Sequence, residues 1–428
     1  MRYFLSGDAA LKWLEALSVY HVKRDELYEL DNDSFGFLKS CASEGGCEGG
    51  DSNFIDYSLK EGILTKDKVA SRQPVLIKSP EPSLRYLELQ ITNNCNLKCK
   101  HCYIGDENNS TLPQPLPSRE GCASLHTSQE GISPPPRWER VRVRGGKNEL
   151  SVEQIRSILK EFEEMQGLRV LITGGEPLMH GNIEEINEML PEFLVRKVLF
   201  TNGLLLNKKI LRKLNVDEIQ VSIDGLEYAH DSLRGKGAFR SAIGAVKKAL
   251  DTSFEVSVAT MVHPVNLDDF DGMERLFKEM GIKDWTVDIP CITGRLEKHT
   301  ELQITPEQGG KFLRYGYGAG LHSGAPGFAC GLHLAAVMAD GRVSKCTFYA
   351  DNFAGRIEDG LRECWKRIEP IRLDELACDC RYIESCRGGC RYRALLLGNA
   401  LGKDLYRCAL YDILNKEEKC EQEVKIPL

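Results

Sequence analysis

Between residues 85 and 300 the apolar positions come in short runs: "YLELQIT" at 86–92, "RVLITGG" at 169–175, "KVLFTNG" at 197–203, "EIQVSID" at 218–224, "FEVSVATMV" at 254–262 and "WTVDIPC" at 285–291. Their length and their aliphatic and β-branched content predict six strands. The segments between them repeat apolar residues three and four apart. "SVEQIRSILKEF" at 151–162 opens with Ser151 and Gln154 as a capping box and lays Val152, Ile155, Leu159 and Phe162 along one face, so it predicts a helix. Strand and helix alternate at roughly 30-residue spacing, which predicts βαβ units and hence an α/β fold with a parallel sheet or barrel. In such folds chemistry collects at the carboxyl ends of the strands.

Two regions break this rhythm. Residues 3–70 predict a separate small domain of winged-helix character, with a hairpin in "VYHVKRDELYELD" and short helices in "SFGFLKSCA" and "FIDYSLKEGIL". Cys41 and Cys47 flank its "CASEGGC" loop and read as packed or loop thiols. Residues 111–147 hold six of the seventeen prolines and few core-forming residues, so they predict a low-complexity insertion, solvated and without function, that carries Cys122 with it.

The chain has 428 residues, 42% of them apolar and 28% charged, which fits a soluble globular protein of two or three domains. It contains no apolar run of membrane-spanning length, and "MRYFLSGDAALKW" lacks the zones of a signal peptide. The expectation is a cytoplasmic protein with no membrane contact. The net charge of −7 gives no electrostatic case for a nucleic-acid partner. Sixteen cysteines are many for a reducing compartment, and their clustering points to metal or catalysis rather than disulfides. One group falls at 95–102, a second at 330–408, and Cys122, Cys364 and Cys420 stand apart.

The first group, "TNNCNLKCKHCYIG" at 92–105, follows the first predicted strand and so sits at the chemical edge of the sheet. Four thiolates close a zinc or a four-iron site, whereas three leave one metal position open for a substrate or cosubstrate. Cys95, Cys99 and Cys102, spaced C-x3-C-x2-C with His101 before the last, resemble the signature loop of the radical S-adenosylmethionine (SAM) enzymes. That resemblance implies a [4Fe-4S] cluster whose free iron chelates SAM and whose electron cleaves it to a 5′-deoxyadenosyl radical. "TGGEP" at 173–177 resembles the family's glycine-rich motif, which implies that Gly174 and Gly175 give backbone access and that Glu176 accepts from the cosubstrate ammonium. "SIDG" at 222–225 resembles its ribose-contacting strand end through Ser222, and Arg234 in "LRGKGAF" matches a position that pairs with the cosubstrate carboxylate. The implied fold over 85–300 is a partial (βα)6 barrel.

The second group runs through "CGLHLAAVMADGRVSKC" at 330–346 and "CDCRYIESCRGGC" at 378–390 to Cys408. Seven thiols suit two zinc or two iron–sulfur sites. Their order, with Gly341 before Cys346 and C-x5-C-x3-C at 380–390, resembles the SPASM extension, which implies two auxiliary [4Fe-4S] clusters over a cysteine-rich domain at 301–428. By that match Cys378, Cys380, Cys386 and Cys408 hold the outer cluster and Cys330, Cys346 and Cys390 the inner one. Two departures stand out. Cys378 and Cys380 are one residue apart instead of two, and Thr347 occupies the place where sulfatase-maturing members carry an aspartate, which disfavours that activity. The inner site lacks a fourth thiolate; an open iron, Cys291 or Cys364 are the alternatives.

"WLEALSVYHVKRDELYELDNDSFGFLKSC" at 13–41 resembles PqqD-like elements, which bind a precursor's leader by strand addition, and implies a leader-binding domain over 1–84. The combined expectation is a peptide maturase that acts on a ribosomally made precursor and takes electrons from a flavodoxin or ferredoxin. The alternatives are a radical enzyme of cofactor or haem synthesis with a small-molecule substrate, and a non-catalytic metal-cluster adaptor.

Overall fold

The computed structural model of the protein describes residues 1–68, 72–105, 149–318 and 326–414. The predicted insertion at 111–147, with Cys122, lies outside the described residues, as does Cys420. The chain opens with six short strands, β1 (Arg2–Leu5), β2 (Ala9–Trp13), β3 (Leu17–His21), β4 (Glu26–Glu29), β5 (Cys47–Glu48) and β6 (Leu64–Thr65). Helices α1 (Asn32–Cys41) and α2 (Ser52–Lys60) are interleaved with them. Aspartates start both helices: Asp31 accepts from the Ser34 N–H and Asp51 from the Phe54 N–H. The expected hairpin is β3–β4, and β2 extends it into an antiparallel sheet ordered β2-β3-β4; β5-β1-β6 form a second sheet.

Both faces of the β2-β3-β4 sheet are covered, which is why its sequence lacks polar alternation. Ala9, Leu11 and Val19 pack with Phe35, Leu38 and Cys41 on one side. Ala10, Tyr20 and Val22 pack with Leu168 of the following domain on the other.

That domain alternates as predicted: β7 (Tyr86–Thr92), α3 (Val152–Glu164), β8 (Arg169–Gly174), α4 (Ile183–Met189), β9 (Arg196–Thr201), α5 (Lys208–Leu211), β10 (Glu218–Ser222), α6 (Glu227–Arg234), α7 (Ala238–Asp251), β11 (Glu255–Met261), α8 (Phe270–Glu279) and β12 (Asp284–Asp288). Strands β7 to β12 are parallel and pair in sequence order. The capping box at Ser151 and Gln154 is formed, and Val152, Ile155, Leu159 and Phe162 are buried. The other edge of β7 is taken by β13 (Leu334–Val337), in parallel register with Leu334 opposite Tyr86. Antiparallel β14 (Arg342–Ser344) and β15 (Gly355–Arg356) follow. The cysteine-rich segment therefore continues the sheet of the barrel domain, and among the described residues that mixed sheet has nine strands.

The amino-terminal sheet docks at the amino ends of the barrel strands. Arg196, the first residue of β9 and fully buried, donates to the Val22 and Lys23 carbonyls at 3.2 and 2.7 Å and to Glu218 and Glu255 at 2.9 Å each. Lys12 Nζ donates to the Gly167 carbonyl at 2.7 Å. This leaves the carboxyl ends of the strands, at the opposite side of the sheet, open to the cavity described next. Among the described residues no helix is long and apolar enough to cross a membrane.

Candidate metal centre

A cavity of about 620 Å³ lies over the carboxyl ends of β7 to β12, and Cys95, Cys99 and Cys102 all line it. The loop that carries them leaves β7 at Thr92 and is held from three sides. Thr92 Oγ1 and Asn94 Nδ2 donate to Glu149 at 2.8 and 2.7 Å, which pins the point where the described chain resumes after 105. The Arg295 N–H donates to the Cys102 carbonyl at 2.9 Å. Asn202 Nδ2, just beyond β9, donates to Asn96 Oδ1 at 2.7 Å and lies 3.9 Å from Cys95 Sγ, which also accepts from the Leu97 N–H at 3.4 Å. Amide donors aimed at a sulfur are the outer-shell contacts that orient a ligating thiolate and set the potential of its cluster. Burial pushes the Cys99 thiol up to about 11 and raises Cys95, so a metal is what would hold them as thiolates.

The two glycines of the "TGGEP" motif have a role that the sequence did not disclose. A Cβ on Gly174 would lie 2.3 Å from the Thr92 carbonyl oxygen, and one on Gly175 would lie 2.5 Å from the Asn94 carbonyl oxygen. Both residues line the cavity, but what their lack of side chain admits is the base of the cysteine loop itself. The Gly175 and Glu176 N–H groups complete that contact by donating to the Thr92 and Asn94 carbonyls at 2.8 Å. Glu176 is fully buried behind the cavity wall. Its carboxylate accepts from Thr201 Oγ1, from the Asn202 N–H at 2.9 Å and from the Leu178 N–H at 3.2 Å, while burial raises its pKa.

Along β10 and just past it, Gln220, Ser222 and Asp224 alternate toward the cavity with the strand's period of two. Asp224 is the hub that sequence reading missed, although it stands inside the "SIDG" stretch. It accepts from Arg234 Nε at 2.5 Å and from the Met261 N–H at 2.8 Å, and His101 Nε2 lies 3.7 Å away. Burial depresses His101 to about 3 and His230 to about 4, so both imidazoles are neutral near pH 7. His101 Nδ1 is buried and has no partner among the described residues.

The carboxyl-terminal thiols open onto the same space: Cys330, Cys346, Cys386 and Cys390 line the cavity together with the three loop cysteines. Cys378, Cys380 and Cys386 lie close enough to Cys408 for their charges to add to the burial that pushes its thiol up to about 11. The segment is tied to the barrel by Arg393, which is buried between Asp404 Oδ2 at 2.9 Å and Asp288 Oδ1, at the end of β12, at 2.7 Å. Glu88 of β7 lines the cavity and accepts from the Thr347 N–H at 2.9 Å, beside Cys346. Asn202, Asp224 and Glu88 are polar residues just inside or after predicted strands, and that position was the only signal for them; Arg393, in a short helix of the cysteine-rich segment, had none.

The donor set suits iron–sulfur ligation. Among the described residues no three His, Cys, Asp or Glu side chains converge as they would on a single ion, and a cubane that offers one iron to each thiolate does not require them to.

Residues 89–277 match the family model described as the Radical SAM superfamily. The chain is 30% identical over 281 residues to the mycofactocin maturase MftC of Mycolicibacterium smegmatis, covering 56% of this chain and 70% of that one. It is 23% identical over 380 residues to the AdoMet-dependent heme synthase of Oleidesulfovibrio alaskensis, covering 77% of this chain and 88% of the relative. Among solved structures, Streptococcus suis SuiB bound to precursor peptide SuiA superposes with a TM-score of 0.61 at 13% identity, over 94% of this chain and 98% of the other, which is a likeness of fold.

Proposed function

Because this chain belongs to the radical SAM superfamily, we propose that it is a peptide maturase that binds SAM at a [4Fe-4S] cluster held by Cys95, Cys99 and Cys102. When bound, that pair supplies a one-electron cleavage that yields a 5′-deoxyadenosyl radical, able to take hydrogen from an unactivated carbon. The chain's own residues position and shield. The Arg234 guanidinium, anchored by Asp224, offers its remaining N–H groups to the SAM carboxylate. Ser222 serves the ribose side. Gly174 and Gly175 keep the loop close to the sheet. Glu176 has its carboxylate oxygens engaged by Thr201, Asn202 and Leu178, so its part in holding the SAM ammonium is the least direct of the set. His101 stays neutral beside Asp224 and adds no charge to the site.

One observation carries the reading. The three-cysteine loop and Cys330, Cys346, Cys386 and Cys390 share a single cavity, so clusters held by the two groups would both face a substrate bound there and would supply one-electron chemistry to it. On this reading Cys378, Cys380, Cys386 and Cys408 hold the outer cluster, Cys330, Cys346 and Cys390 contribute to the inner one, and a flavodoxin or ferredoxin donates the electrons. The leader of a ribosomally made precursor adds as a strand beside β4, which pairs only with β3 among the described residues. The β2 edge is already engaged: Gln73 caps Ala9 and Leu11, and the Ser79 N–H donates to the Trp13 carbonyl.

The likeness to the heme synthase favours a second reading, a tetrapyrrole-type small molecule in the same cavity. Incubating the anaerobically reconstituted enzyme with SAM, reductant and either small peptides encoded near its gene or an iron porphyrin separates the two. A mass change on a peptide supports the first, and a change on the porphyrin alone supports the second.

A further inference from the structure

One buried cysteine at the cavity has no part in this reading. Cys291 follows Pro290 at the carboxyl end of β12, is 3% exposed, and lines the cavity with Cys330, Cys346 and Cys390. Cys291 and Cys390 lie close enough for each thiol to act on the other's ionisation, and Cys346 lies within reach of the charges of both Cys390 and Cys330. Four cysteines, one from the barrel and three from the carboxyl-terminal segment, thus face the same part of the cavity.

A second observation marks this wall as an anionic site. Lys345 Nζ is buried without a hydrogen-bond partner among the described residues, and the charges acting on it include those of Cys330 and Cys346. A buried ammonium with no partner is expensive unless a net negative group lies beside it, and four thiolates on iron supply such a group. Cys364, the other candidate from sequence, is accounted for elsewhere. Its Sγ donates to the Arg356 carbonyl at 3.3 Å, and it packs in the core with Leu361 and Trp365.

We propose that Cys291 is the fourth thiolate of the inner auxiliary cluster, together with Cys330, Cys346 and Cys390. The inference rests on the auxiliary-cluster reading above. It has a functional consequence: with four thiolates no iron is open, so this cluster passes electrons and does not ligate the substrate. It also fixes the cluster to β12 of the barrel as well as to the extension, in line with the Asp288–Arg393–Asp404 tie beside it. Substrate contact then falls to cavity groups such as Glu88 and Arg295.

The test uses the full chain with Cys95, Cys99 and Cys102 changed to Ala, so that only auxiliary iron remains, reconstituted anaerobically and reduced. Iron content and the electron paramagnetic resonance spectrum with 13C-cyanide are compared with and without the further change Cys291→Ala. The expected result is either a gain of 13C coupling at a newly opened iron or a loss of about four irons per chain, with Cys364→Ala matching the parent. If Cys291→Ala is insoluble, Cys291→Ser, which keeps the volume, gives the same comparison. Iron content, spectrum and cyanide response all unchanged by loss of Cys291 would overturn the proposal. A parent that holds no iron at all would instead overturn the auxiliary-cluster reading, and the proposal with it.

Discussion

Arg234 donates its Nε–H to Asp224 Oδ2 at 2.5 Å at the floor of the cavity, with Asp224 fully buried and the arginine side chain 12% exposed. Burial alone would raise the Asp224 pKa, but the Arg234 guanidinium, helped by the Met261 N–H, outweighs it and holds the carboxyl well below the usual range. Burial would likewise depress Arg234, and Asp224 more than offsets it. The pair is one charged unit at any physiological pH.

Breaking such a pair from one side leaves a buried charge uncompensated, at about 3–5 kcal/mol. Asp224→Asn should therefore lower the unfolding free energy by that order and weaken SAM binding, as read by chemical denaturation and equilibrium dialysis. Arg234→Ala should weaken SAM roughly 10- to 100-fold, the loss of one charged hydrogen bond at about 1.5–3 kcal/mol. An unchanged SAM dissociation constant in Arg234→Ala would remove that residue from the site.

The six barrel strands and helix α3 were legible because their burial follows a period that each segment carries in itself. The three cysteines were legible because spacing within one loop survives without tertiary information. Asp224 and Arg393 were not, since each takes its meaning from partners elsewhere in the fold: Arg234 and Met261, Asp288 and Asp404; Cys291 stood among the sequence's alternatives for the inner site, but its nearness to Cys390 did not show there. The contact of Gly174 and Gly175 with the cysteine loop was hidden for the same reason. A glycine shows that something comes close but not what, and here it is the Thr92 and Asn94 backbone. The addition of β13 to the β7 edge was hidden too, because "LAAV" is short and neutral in period.

The docking of the amino-terminal sheet should depend on pH through Lys12. Burial is the main cause that lowers its pKa from 10.5 to about 8. Below pH 8 both folded and unfolded chains carry the proton and the full burial penalty applies. Between about 8 and 10.5 only the unfolded chain binds it, so stability should rise with pH by up to about 3 kcal/mol. Lys12→Met should flatten that rise in urea titrations at successive pH values. An identical slope in the variant would show that Lys12 does not carry it.

A leader paired with β4 starts at the amino ends of the barrel strands, whereas the cavity lies at their carboxyl ends. Strands β8, β10 and β11 have five to seven residues, so the path along them is roughly 16–23 Å at about 3.3 Å per residue. At least about six extended residues must therefore separate the bound leader from the modified position. Precursors shortened below that spacing should bind with undiminished affinity and go unmodified. Efficient modification of a peptide with a two-residue spacer would contradict leader binding at β4.

The insertion at 111–147 should be dispensable, because its composition cannot support a packed core. A chain joining Ser110 to Asn148 should keep its iron content and its SAM cleavage, since Glu149, through Thr92 and Asn94, and Leu150, whose N–H donates to the Ile91 carbonyl at 3.0 Å, pin the re-entry point. Loss of soluble, iron-loaded protein would assign the segment a structural role.

The central claim is that the three-cysteine loop carries the chemistry. Its most direct test is 5′-deoxyadenosine, measured by mass spectrometry after anaerobic reconstitution with iron and sulfide followed by dithionite and SAM. The intact chain should form it, and the variant with Cys95, Cys99 and Cys102 changed to Ala should form none while retaining its auxiliary iron. Continued formation by that variant, or none from an intact chain loaded with iron, would contradict the account.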